Sequence, residues 1–247
     1  MRFKDFLQEA SHREDISLER AEELLQAHCK DAIKHFDKPL WRGTRAAGED
    51  AYLIQADKGS RKSRNSTNYY TIIMDHFLPD NGYPLRSASL ICGNNENISH
   101  VRGYGTNGTV FALFPYNGVP IGVCEGEDMW DTMLKIGGAR HFRSIVHWNG
   151  YFEDCGLPDS SYDDLIESIE KVLQNPEDPN FISVEDIFES RDPRVVLEQA
   201  YSDKNLGLKL ATTANVYNIE GEHELWIGGK CVAIRDDVWE KMKDKFK

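Results

Sequence analysis

Two pairs of short apolar runs, each broken by a two-residue turn signal, constrain this fold more than any other feature. Residues 110–114 and 119–123 flank Asn117-Gly118, and residues 222–227 and 230–235 flank Gly228-Gly229. Runs of this composition around Asn-Gly or Gly-Gly predict antiparallel hairpins. Strand side chains alternate, so Glu222 and Glu224 project from one face and His223 and Leu225 from the other. Two neighbouring carboxylates repel. Taken alone, that arrangement suits either an exposed edge strand guarded by acids or a site facing an electron-poor ligand.

A chain of 247 residues has room for one sizeable α+β or α/β domain, or two small ones. Hydrophobic residues make up 40% and charged residues 28%, the mix of an ordinary globular protein. The formal net charge of −12 opposes broad binding to a phosphate backbone, which needs a basic face. The five cysteines are odd in number and form no Cys-x-x-Cys pair, which favours free thiols over a disulfide frame or a zinc site. The first residues contain no apolar leader core and no run reaches membrane-spanning length. A cytoplasmic protein without membrane or metal partners is the expectation.

Residues 3–36 read as a short helix and a longer one, a helical N-terminal segment ahead of a main domain over 37–247. Residues 57–68 form a polar, locally basic loop, followed by a helix over 68–77 that ends at Pro79. A short helix is expected over 128–136, and a brief apolar strand or turn over 145–148. Amphipathic helices are expected over 161–173 and 193–206, inside a helical insertion spanning about 158–207. Residues 211–217 return to strand character, and 236–247 form a closing helix with lysines in its last turn.

Two further strand-like stretches carry chemistry. Leu40-Trp41-Arg42-Gly43 sets an arginine beside a glycine; the guanidinium fork suits a phosphate, and the glycine permits close approach. A surface ion pair is the commoner fate of one arginine. Pro84-Leu85-Arg86-Ser87-Ala88-Ser89 leads into the apolar Leu90-Ile91-Cys92, with Ser87 and Ser89 two apart and so on one face. Cross-strand hydroxyl pairing accounts for such serines equally well.

In chain order, Arg42-Gly43, Ser87-Ala88-Ser89 and Glu222-His223-Glu224 resemble the ADP-ribosyltransferase superfamily, in its Arg, Ser-x-Ser, Glu-x-Glu branch. Arg42-Gly43, the Arg64 to Tyr69 segment and Pro84-Leu85-Arg86-Ser87 look most like transferases encoded by bacteriophages. The likeness spans roughly 39–236. Ala88 stands at the middle of the serine motif, and the long 128–210 stretch separates the second and third motifs. The resemblance implies two packed, mostly antiparallel sheets forming an NAD cleft. It implies NAD as substrate, held by Arg42, Gly43, Ser87 and Ser89. Catalysis would fall to Glu224 and Glu222 with Arg42 and Ser87, and the acceptor would be a protein arginine rather than nucleic acid.

The chemistry fits these residue types. Cleaving the nicotinamide–ribose bond builds positive charge on the ribose, as in glycoside hydrolysis. A carboxylate about 4 Å away is worth about 4 kcal/mol at an effective dielectric near 20, roughly a thousandfold in rate. Glu224 suits that role, Glu222 the activation of the acceptor, Arg42 the pyrophosphate, and Ser87 the bracing of Glu224. The main alternative is a non-catalytic binding or phage virion protein that keeps a transferase-like fold. A metal-assisted hydrolase built on the two glutamates and His223 ranks lower, because His223 points away from both acids. A Cys155 nucleophile served by His141 or His147 ranks lower still.

Overall fold

The computed structural model describes residues 11–44, 49–56, 68–104, 109–135, 141–188 and 192–247. The basic segment 57–67 and residues 1–10 lie outside them. The first part of the chain gives β1 (Ser11–Asp15), α1 (Leu18–His28), α2 (Lys30–Ile33), β2 (Leu40–Gly43) and β3 (Ala51–Ala56). Next come α3 (Tyr69–Phe77), a 3-10 turn at Arg86–Ala88, β4 (Leu90–Gly93), α4 (Ile98–Tyr104), β5 (Val110–Pro115) and β6 (Pro120–Val123). A helical run follows: α5 (Met129–Lys135), α6 (His141–Asp154), α7 (Tyr162–Leu173), α8 (Phe181–Phe188) and α9 (Pro193–Ala200). The chain closes with β7 (Lys209–Thr212), β8 (Glu224–Ile227), β9 (Lys230–Arg235) and α10 (Asp236–Met242).

The class is α+β. Caps explain where several helices start: the Ser17 hydroxyl accepts from Arg20 N at 3.2 Å, Ser161 caps α7, and Asp192 caps α9 ahead of Pro193 at its first position. Residues 11–15 pair with β3 as a strand, where the periodicity predicts helix. Residues 145–148 lie within α6 rather than in a strand, and the 193–206 helix ends at Ala200. Residues 211–217 divide into the end of β7 and a 3-10 turn at Val216–Asn218.

Among the described residues the strands form one open sheet of nine rather than the expected two, ordered β1-β3-β9-β5-β2-β4-β8-β6-β7 and antiparallel throughout. Neither predicted hairpin pairs with itself. β5 pairs with β2 and β9, whereas β6 pairs with β7 and β8. β8 pairs with β4 and β6, whereas β9 pairs with β3 and β5. Both turns are corners that carry the chain from one half of the sheet to the other. They pack side by side: Tyr116 N donates to Lys230 O at 3.0 Å, and Gly228 N to Pro120 O at 3.0 Å.

The corners show that the sheet folds over. β8 and β9 stand four places apart in the strand order, about 19 Å in a flat sheet at about 4.8 Å per strand. Three peptide steps from Ile227 to Lys230 reach at most about 11 Å. The bend falls between β2 and β4, where the pairing narrows to the single pair Trp41–Gly93. One strand face forms its own core cluster, with Leu40, Tyr52, Phe111 and Leu113 from one half and Cys92, Ile121, Leu225 and Ile227 from the other. Helices cover the opposite face. α1, α2 and α10 pack over Trp41, Phe114 and Ile234, while α3 and the helices from α5 to α9 surround Trp226.

Gly122 shows how tightly the second half is packed. A Cβ there would lie 2.0 Å from the indole of Trp226, which is fully buried. Gly122→Ala is therefore expected to lower stability by about 3 kcal/mol, the upper end of overpacking costs, read as a fall in Tm by thermal denaturation. An unchanged Tm would show that the indole has room to move.

Candidate functional site

The strands that carry Arg42 and Glu224 flank β4 at the bend, but the motif side chains are not in the arrangement the sequence predicts. Gly93 pairs with Trp41 on one side and with Glu224 on the other, so Trp41 and Glu224 share a face. Arg42 leaves from the opposite face, opposite Phe111. Its guanidinium donates to the carbonyl of Ile91, a strand acceptor left over where the β2–β4 ladder ends. Gly43 pairs with Val110 as the last residue of β2. Arg42 and Glu224 both bear on the buried Cys92 thiol, whose pKa is pushed up by burial first, down by Arg42 and up again by Glu224.

The serines are engaged elsewhere. They sit on and just after the 3-10 turn ahead of β4, not on the strand. Ser87 N donates to the Asp75 carboxylate at 3.1 Å. Burial raises the pKa of Asp75, and hydrogen bonding from Ser87 partly offsets the rise. Ser89, 3% exposed, donates its hydroxyl to Leu85 O at 2.6 Å. Ser87 therefore does not brace Glu224.

Arg86 takes that place. Its Nη2 donates to Glu224 Oε1 at 2.6 Å. The arginine side chain is 3% exposed and that of the glutamate 13%. The guanidinium carbon lies 5.5 Å from the ring centres of both Tyr70 and Trp226, within cation–π range. Burial pulls the pKa of Arg86 down, but Glu224 and Tyr70 push it up, and the net direction is up. Nε and Nη1 are buried with no hydrogen-bond partner among the described residues. Idle buried donors cost about 1–3 kcal/mol each, more on a charged group. In the sequence Arg86 stands directly before the serine motif, whose pattern assigns it no role. The available signal was a charge set between Pro84-Leu85 and the apolar entry to β4.

Glu222 is exposed and lies just before β8 rather than inside it. The segment around it is fastened to the loop after β4. Asn94 donates to Gly221 O at 2.6 Å and accepts from His223 N at 3.2 Å, and Glu96 accepts from Gly221 N at 2.9 Å. His223 has its ring nitrogens 2.9 Å from Cys124 O and 2.7 Å from Glu220 O. A neutral imidazole carries one N–H, so the ring donates to one of these two carbonyls according to its tautomer. Cys124 Sγ lies 3.8 Å from Glu224 Oε1, but burial first and Glu224 second push its pKa well up, so the thiol is inert.

A cavity of about 580 Å³ opens beside this segment, lined among others by Lys38, Leu40, Asn95, Glu96, Tyr217 and Glu220. Its volume falls in the range of small-molecule sites. No helix among the described residues is long and apolar enough to cross a membrane. No protein-family profile, curated protein or solved structure matches the chain.

Proposed function

We propose that the protein transfers ADP-ribose from NAD to a macromolecular acceptor, with a protein arginine as the first candidate. The observation that carries this reading is Glu224. It heads a central strand at the bend of the sheet, with one carboxylate oxygen held by Arg86 and part of its surface open. Glu222, two residues earlier and exposed, is available to an acceptor. Glu224 would stabilise the ribose cation where its charge develops. Glu222 would orient or deprotonate the incoming nucleophile. The cavity reaches this segment only at Glu220, and neither Glu222 nor Glu224 is among the residues that line it.

Against it stands a second reading, a non-catalytic binding or virion protein. It is favoured by the engagement of Arg42, Ser87 and Ser89 with the chain's own backbone and with Asp75. Incubating the purified protein with NAD and measuring nicotinamide release separates the two. The transferase is expected to release nicotinamide and, with labelled NAD and a cell lysate, to label protein. NAD left intact under both conditions would overturn the proposal in favour of the binding protein.

A further inference from the structure

We infer that Arg86 is the positioning residue of Glu224, fixing one carboxylate oxygen so that the other is presented to the substrate. For its effect on rate the inference rests on the transferase reading, while its geometry stands without it. The guanidinium is fixed before any ligand arrives. Its backbone N–H donates to Asp75 at 2.6 Å, and the Tyr70 and Trp226 rings flank it at 5.5 Å. Trp226 is itself pinned, donating Nε1–H to Pro84 O at 3.1 Å.

The pair is not arranged for stability alone. A structural arginine–carboxylate pair gains most from a two-point fork. Here only Nη2 is used, and Nε and Nη1 stay buried and idle. The asymmetry of exposure points the same way, since the cation is enclosed while the anion keeps surface. Oε1 carries the bond to Arg86, and Oε2 makes no hydrogen bond among the described residues. The positive charge of Arg86 opposes the charge that develops on the ribose. Its contribution is therefore orientation, and orientation errors of about 1 Å cost about 100-fold in rate.

That distinction sets the test. Arg86→Lys keeps the charge but loses the planar group that lies 5.5 Å from the Tyr70 and Trp226 ring centres. In the folded variant, kcat for NAD cleavage is expected to fall about 100-fold while KM for NAD stays within about threefold. Arg86→Met should lose as much rate per folded molecule. Wild-type kcat in either variant would overturn the inference and leave Arg86 a packing residue. A wild-type protein inert toward NAD would overturn the transferase reading instead. The inference then has a readout of its own, the side-chain carboxyl ¹³C resonance of Glu224 in glutamate-labelled protein, assigned by its loss in Glu224→Gln. Displacement and broadening of that line in both Arg86 variants are expected, and an unmoved line would overturn the positioning role.

Discussion

Glu224→Ala is expected to destabilise the fold by about 3–5 kcal/mol, measured by denaturant unfolding, whatever the protein's activity. The loss comes from the partner left behind. Arg86 is enclosed by Tyr70 and Trp226 with two donors already idle, so removing Glu224 strands a buried cation. Arg86→Met combined with Glu224→Met should recover most of that stability, because a buried ion pair replaced by well-packed apolar groups is often neutral or better. Equal losses in the single and double variants would mean that the side chains matter for their shape, not for their pairing.

Glu224→Gln is expected to cut NAD cleavage about a thousandfold while NAD binding weakens only modestly. The amide keeps the size of the carboxylate and can still accept from Arg86. It loses the charge that counts only once the ribose turns cationic, so the effect falls on kcat. About 4 kcal/mol for one opposite charge near 4 Å corresponds to that factor. Glu222→Gln should behave differently, reducing transfer to protein while sparing some NAD hydrolysis. Glu222 is exposed, and water needs less positioning than a guanidinium. A Glu224→Gln enzyme at near wild-type rate would end the catalytic assignment, and equal loss of both activities in Glu222→Gln would end the division of labour.

What the sequence determined by itself was local. The helices capped by Ser17 and Asp192 and the reversals at Asn117-Gly118 and Gly228-Gly229 follow from preferences that act within a few residues. Strand partnership was not legible. A turn fixes that the chain changes direction, but β5 and β6, or β8 and β9, pair with whichever neighbours bury their faces best. Gly228 and Gly229 illustrate the point. Their missing side chains serve close approach, since a Cβ would lie 2.2 Å from Pro84 at the first and 2.8 Å from Val119 at the second.

The candidate site divides the same way. Glu222 and Glu224 stood out because two acids two apart are visible in any strand pattern. Arg86 did not, because its partner is 138 residues away and the pair exists only once β4 and β8 align. Ser87 and Ser89 look like strand residues, yet Asp75 of α3 and the Leu85 carbonyl hold them on and just after a 3-10 turn instead. Backbone sterics and neighbour hydrogen bonds write local geometry into the order of residues. Which charge meets which, and which face of the sheet turns inward, is decided by packing between segments far apart in the chain, and only the folded sheet settles it.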